Sequence, residues 1–357
     1  MTINDGEYVV VLGPSGAGKT SLLKVISGLY SPAAGKILID EVEVNNLPPE
    51  SRKIAFLPQD YSLFPKMTVW DHVTFSPKLQ KFQKARTEEL AREILGMVHL
   101  LDRADAFPHE LSGGMKQRAA LARAIATNFN ILLLDEPLRA LDARLRLEIR
   151  LELKRMAKNL GFTVLHVTHD QEEAMSVADR IVVLNKGQIV QDGTQEDIYL
   201  RPHNIFVSGF LGEINQRSVL VQDVEKSDIF VVKDRCGSIF KAKGQKRYEI
   251  GQEVQLVVKS ESIKLGKSER EGLGVEPRTE SDFDPEEFDQ SNFSNVFVGE
   301  IIEKHYLGKW TNLIVKTNSN TGRQDDWIVK VVSRKAAGLD LGQHLSFIFE
   351  TDLALIF

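Results

Sequence analysis

The sequence predicts an α/β fold whose sheet domain carries a helical insertion, followed by a small all-β, barrel-like domain. Three observations carry this. A short apolar run at residues 8–12 leads through Gly13-Pro14-Ser15-Gly16-Ala17-Gly18-Lys19-Thr20 into residues 20–26, which read as a helix. A fully apolar run at residues 131–134 suits a central parallel strand buried on both faces. Beyond residue 213 the pattern changes to short alternating runs with turn signals between them. A chain of 357 residues exceeds one ordinary core, so two or three domains are expected.

Composition narrows the class. A hydrophobic fraction of 42% with 27% charged residues is that of a globular protein, and no apolar run approaches the length of a membrane span. The first seven residues have neither a basic region nor an apolar core, so no export signal is expected and the chain is placed in the cytoplasm. A formal net charge of -5 argues against a general nucleic-acid binder. Cys236 is the only cysteine, which excludes an internal disulfide and points to an ordinary packed residue.

Residues 13–20 fit G-x-x-x-x-G-K-[ST], and their place between a strand-like run and a helix is that of a phosphate-binding loop. The sheet is then that of a P-loop NTPase. Gly13, Gly16 and Gly18 let the backbone curl so that successive N–H groups and the positive end of the next helix face one anion. Pro14, Ser15 and Ala17 complete the loop. Lys19 is placed to reach β- and γ-phosphates, Thr20 to take a position on Mg²⁺, and Ser21 stands beside them in the nucleotide-binding set.

Residues 35–40 alternate as a strand does, and residues 53–59 form another short strand ending in Gln59. Open α/β sheets put ligand-contacting groups at strand ends, so Gln59 is a candidate metal or water ligand. From about residue 68 to 127 the strand signal gives way to helical spacing, clearest at 85–98 and 116–126. Within this insertion Ser112 is a good N-cap, and Gly113 and Gly114 leave the first-turn amides bare for a phosphate. Asp135 ends the apolar run and could hold Mg²⁺ through water, while Glu136 could polarise the attacking water. Residues 143–159 read as a charged amphipathic helix. Residues 163–170 read as a buried strand, with His166 packed inside it and His169 just past its end, within reach of a γ-phosphate. The runs 181–184 and 188–191 meet at Asn185-Lys186-Gly187, which has hairpin-turn chemistry.

The phosphate loop, Gln59, Leu111-Ser112-Gly113-Gly114, Leu134-Asp135-Glu136-Pro137, Leu141-Asp142 and His169 occur in the order and approximate spacing of ABC-transporter ATPase subunits. Val167-Thr168-His169-Asp170-Gln171-Glu172-Glu173-Ala174-Met175 resembles the importer ATPases for sugars, polyamines, iron and inorganic anions. This resemblance covers residues 1–212, with a helical subdomain at about 68–127. Residues 213–357 are similar to the oligonucleotide-fold-like (TOBE) regulatory domain of those ATPases, on Val298-Gly299-Glu300-Ile301-Ile302-Glu303 and Tyr306-Leu307-Gly308. Residues 266–292, polar and acidic, read as a flexible insertion.

The resemblance implies an ATP-hydrolysing subunit on the cytoplasmic face of the membrane. It implies that two copies clamp ATP and Mg²⁺ head to tail, each site using the phosphate loop of one copy and Ser112-Gly113-Gly114 of the other. Glu136 is implied as general base, His169 as the γ-phosphate sensor, Gln59 as the link from metal to permease, and Asp142 as part of the nucleotide set. Integral-membrane permease subunits and, through them, a substrate-binding protein are the implied partners, with residues 60–73 forming the permease's groove. A soluble ABC ATPase not tied to transport, or a truncated ATPase-deficient regulatory form, stays open. Two departures bear on this. About 30 residues that the family places before the first strand, with an aromatic shelf for adenine, are expected to be missing. Arg139 stands where the family usually has a small serine.

Overall fold

The computed structural model describes residues 1–127, 129–226, 228–266, 295–317 and 326–357. The chain divides into two compact units, Met1–Arg201 and Pro202–Phe357. In chain order the first unit holds β1 (Tyr8–Leu12), α1 (Lys19–Ile26), β2 (Leu38–Ile39), β3 (Val42–Glu43), β4 (Ile54–Leu57), α2 (Val69–Leu79), α3 (Lys84–Met97) and α4 (Gly113–Ile125). There follow β5 (Ile131–Asp135), α5 (Ala143–Leu160), β6 (Thr163–Thr168), α6 (Gln171–Val177), β7 (Arg180–Asn185), β8 (Gln188–Gly193) and α7 (Gln195–Leu200).

The main sheet has the order β4-β5-β6-β1-β7-β8. All neighbours are parallel until β8, which returns antiparallel on β7. Val9, Val11, Leu133, Leu165, Val167 and Val182 fill one core beneath α1, as unbroken apolar runs in a two-sided parallel sheet do. The β7–β8 turn has Lys186 at φ 48 and Gly187 at φ 79, the left-handed pair of a tight hairpin. The helices α2, α3 and α4 all fall between β4 and β5, so the expected helical insertion is present. Residues 35–40 do not form the strand their alternation predicts. Only Leu38 and Ile39 pair, with Val42 and Glu43 across a turn at Asp40 and Glu41, and Leu38 is 60% exposed. Ile37 and Ile39, on one face, are only half-buried and Leu38, on the other, is exposed, so neither face is fully covered.

The second unit begins before the boundary expected at 212. Helix α8 (Ile205–Phe210) packs on β12 (Glu253–Lys259), which draws it into the β-rich unit. β9 (Ile214–Lys226), β10 (Ile229–Asp234), β11 (Ile239–Gly244), β12 and the terminal β18 (Ala354–Ile356) close a barrel of order β10-β11-β18-β12-β9. A second sheet, β13-β17-β14-β15-β16, is built from β13 (Lys264–Leu265), β14 (Asn295–Leu307), β15 (Trp310–Thr317), β16 (Trp327–Val332) and β17 (His344–Phe349), with the short α9 (Ser333–Ala336) after β16. Barrel and sheet share one core. Phe240, Phe297 and Phe349 pack against the buried Trp327, with Phe347 stacked on Phe297, and the Trp327 ring also receives the Arg217 guanidinium at 4.3 Å. Of the acidic stretch 266–292, all but Gly266 lies outside the described residues.

One buried cation fixes the floor of α1. Arg52 donates from Nη1 to Val25 O (3.0 Å) and Ile26 O (2.8 Å), from Nε to Leu47 O (3.0 Å) and from Nη2 to Asn45 O (3.2 Å). It satisfies carbonyls at the helix C-terminus and meets the negative end of the dipole. Arg52→Leu is expected to cost about 3 kcal/mol, read as a lowered urea midpoint for the first unit, because several carbonyls lose a charged donor at once. In the second unit, burial pulls the Lys259 ammonium down to about 8 from 10.5, partly opposed by Glu261. The folded state therefore binds fewer protons than the unfolded one between those values. Stability of that unit should rise as pH climbs from about 8 toward 10, and Lys259→Met should flatten the rise in denaturation curves.

Candidate functional site

The phosphate loop joins the end of β1 to α1, at the carboxyl edge of the parallel sheet. Gly16 (φ 78) and Gly18 (φ 98) hold left-handed conformations that a side chain would strain. Gly13 is required for a different reason. A Cβ there would lie 2.2 Å from the carbonyl oxygen of Leu184, so only glycine lets the loop pass the β7–β8 hairpin. Gly187 N donates to Ala17 O at 3.0 Å and Ala17 N to Pro14 O at 3.2 Å, which closes the curl. Ser15 and Ser21 are exposed.

Lys19 folds back over the loop and donates Nζ to Gly13 O at 2.8 Å and Pro14 O at 3.0 Å. Burial lowers its pKa, with Glu136 and Asp135 opposing the shift. Thr20 Oγ1 donates to Asp135 Oδ1 at 3.2 Å. The other oxygen of Asp135, Oδ2, is buried and has no hydrogen-bond partner among the described residues. Burial raises the Asp135 pKa, Thr20 lowers it and Glu136 raises it. An orphaned buried carboxylate oxygen beside a hydroxyl is the donor set of a hard divalent cation that keeps several waters. Gln59, exposed just past β4, lines the same cavity as this pair.

Glu136 follows β5 with a left-handed backbone, φ 49. Its Oε1 lies 2.7 Å from His169 Nδ1, and its Oε2 accepts from Arg139 Nη1 at 3.1 Å and Gln59 Nε2 at 3.3 Å. The chain thus brings together Lys19, Thr20, Gln59, Asp135, Glu136 and His169, and adds Arg139. His169 is steadied from below: Thr168 Oγ1 donates to Glu173 Oε2 at 2.6 Å and accepts from Asp170 N at 3.0 Å, while Asp170 caps α6 and pairs with Arg146 at 3.3 Å. His166 is buried inside β6, where its Nδ1 meets Tyr8 Oη at 3.0 Å, the packing role its position predicts.

Ser112, Gly113 and Gly114 are not gathered with these groups. Ser112 caps α4 by accepting from Met115 N, and Gly114 lies against Ala140 and Leu141. Ser112 and Gly113 are exposed. Asp142 caps α5, accepting from Leu145 N at 3.0 Å. Three residues that motif reading passed over support the site. Arg123 donates to Ser62 O (2.8 Å) and Tyr61 O (3.1 Å), holding two non-glycine residues at positive φ. His72 accepts from Phe64 N at 2.8 Å and bonds Thr68 O at 2.7 Å, and burial lowers its pKa. Gln117 is fully buried, donating to Glu136 O and accepting from Ala140 N. The only sequence signal was a polar residue on the apolar face of α4.

Residues 1–139 match the ABC transporter family. The chain is 36% identical over 336 residues to the spermidine/putrescine import ATP-binding protein PotA of Thermotoga maritima, covering 94% of this chain and 84% of that one. It is 38% identical over 320 residues to its namesake in Haemophilus influenzae, covering 90% and 80%. Against that of Bacillus cereus, identity is 49% over 215 residues, 60% of this chain and 66% of the relative. Among solved structures it is similar to a dimeric bacterial ABC transporter cassette, with 34% identity and a TM-score of 0.51 over 55% of this chain and 88% of that one. The same cassette is also known as a dimer in a post-hydrolysis state bound to ADP and Pi, at the same similarity. No helix among the described residues is long and apolar enough to cross a membrane. With its phosphate loop, acidic strand end and following barrel, the chain belongs to the ATP-binding subunits of ABC importers, ATPases of the ABC-transporter family.

Proposed function

We propose that this ATPase works as a head-to-tail pair of copies on Mg²⁺ and ATP, and that it powers polyamine uptake through a membrane permease fed by a substrate-binding protein. The chain would be held by the permease at the cytoplasmic face of the membrane. The observation that carries the reading is the meeting of Lys19, Thr20, Asp135, Glu136 and His169 at one sheet edge. The polyamine assignment leans on the three relatives named above, each of which carries a spermidine/putrescine import name.

Each side chain has a task set by its position. Loop amides and the α1 N-terminus receive the triphosphate, and Lys19 exchanges its carbonyl partners for phosphate oxygens. Thr20, Asp135 and Gln59 would hold Mg²⁺, which would supply charge neutralisation at the phosphates. Glu136 accepts the proton of the attacking water, and His169 aligns that carboxylate and senses the γ-phosphate. Gln59 and the segment held by Arg123 and His72 border a groove lined by Phe56, Phe64, Phe75 and Leu79, which fits an amphipathic helix of the permease.

In the free chain Arg139 competes for Glu136. Its side chain is 60% exposed, and exposed ion pairs contribute at most about 1 kcal/mol. Arg139→Ser should therefore raise kcat by no more than about fivefold at saturating ATP. A larger rise, or a fall, would mean Arg139 does more than shield the base.

Glu136→Gln tests the central assignment. It should lower kcat by about 10³-fold while ATP binding persists, and light scattering should show a dimer that forms with ATP and dissociates when nucleotide is removed. Turnover within tenfold of the unmodified chain would remove Glu136 from the role of base. For the substrate, cells lacking this gene should lose ATP-dependent uptake of radiolabelled spermidine and putrescine. Unchanged polyamine uptake would sink that assignment and leave the ATPase intact.

A further inference from the structure

Gln117 lies in the second turn of α4 with no exposed surface. Both ends of its side-chain amide are spent on the loop after β5: Nε2 donates to Glu136 O at 3.1 Å, and Oε1 accepts from Ala140 N at 2.9 Å. A buried amide satisfied at both ends has one orientation available to it. What it grips is the backbone of the residue that carries the general base. Glu136 holds a left-handed conformation that a non-glycine residue keeps only when its surroundings over-determine it. The surroundings here are three hydrogen bonds: Glu136 N donates to Val167 O at 2.9 Å from one side, while on the other the carbonyl accepts from Gln117 Nε2 at 3.1 Å and, at a longer 3.4 Å, from Arg139 N within its own turn. The side chains of His169, Arg139 and Gln59 touch the carboxylate, and of the side chains around Glu136 only that of Gln117 bonds the main chain that aims it.

We infer that Gln117 is a positioning residue that sets the direction of the Glu136 carboxylate and ties it to the N-terminus of α4. That N-terminus, at Ser112 and Gly113, is the surface offered to the nucleotide of the second copy. One rigid helix therefore links a contact made on the partner's ATP to the base that acts on the chain's own. The positioning role stands on the hydrogen bonds alone; the link between sites rests on the paired arrangement proposed above.

The test uses the full-length chain and two variants. Gln117→Leu keeps the volume and removes both hydrogen bonds, whereas Gln117→Glu keeps an acceptor for Ala140 N and loses the donor to Glu136 O. Steady-state hydrolysis is measured per ATP-binding chain, together with ATP affinity, the Hill coefficient for ATP, and amide hydrogen exchange across residues 136–142. Both variants should lose about tenfold or more in kcat, keep ATP affinity within about twofold, and drop the Hill coefficient toward one. Exchange should quicken in 136–142 and stay unchanged in the phosphate loop. If Gln117→Leu keeps kcat and exchange protection, the residue only fills the core and the proposal fails. If ATP affinity falls in step with kcat, the defect is a general loss of fold, which also overturns it. A kcat loss with an unchanged Hill coefficient overturns the link between sites. Should no ATP-dependent dimer form in the unmodified chain, the paired reading falls, and the exchange comparison still decides the positioning role.

Discussion

A buried ammonium and a buried carboxylate sit at the same edge of the sheet, and the rest of the site follows from how each is satisfied. Lys19 is desolvated and settles its charge on the carbonyls of its own loop, which are weak partners compared with a phosphate. Asp135 is desolvated as well and keeps one oxygen without a donor. Left alone, both groups are held at a cost, since burying charge without a full partner is unfavourable. A polyphosphate with a divalent cation removes both costs together, the anion taking the ammonium and the cation taking the carboxylate. The electrostatics of this edge thus favour an anion beside Lys19 and a cation beside Asp135.

Sheet topology makes this juxtaposition possible. Parallel strands β5, β6 and β1 are adjacent, so their carboxyl ends deliver Asp135, His169 and the phosphate loop to one place from distant parts of the chain. The hairpin β7–β8 supports the loop from the far side, where Leu184 leaves room for nothing larger than Gly13. The helical insertion contributes no group to that edge directly. It contributes struts: Arg123 and His72 to the segment after Gln59, and Gln117 to the segment after Asp135.

The side chains gathered at the sheet edge were legible in the sequence, and the groups that hold them were not. Residues 13–20, Asp135, Glu136 and His169 sit at strand ends in patterns with few other physical uses, so pattern and place agree. Gln117, Arg123 and Arg52 are single polar residues whose value depends on which carbonyls come within 3 Å of them, and that is a tertiary fact. The same limit explains the strand expected at 35–40. Its alternation is real, but alternation is silent about how fully another surface covers the apolar face, and Ile37 and Ile39 are only half-buried. It also explains why one barrel was expected where a barrel and a second sheet share a core. Short alternating runs specify strands, and partition into sheets is decided by pairing over long sequence separations, such as β11 with β18 at the chain's end.

The contrast between the two glycine-flanked helix starts has a physical meaning. The N-terminus of α1 is wrapped by its own loop and lysine, whereas that of α4 presents Ser112 and Gly113 to solvent with only its own cap satisfied. Each helix start carries a positive dipole end and bare amides, so each favours an anion. Within one chain the two do not converge, and α4 instead sends Gln117 inward to the loop that carries Glu136. The outer end of α4 thus favours an anion, while its inner turn grips the backbone of Glu136. On the paired arrangement proposed above, α4 rather than the phosphate loop would carry a contact made by the second copy to the backbone of Glu136.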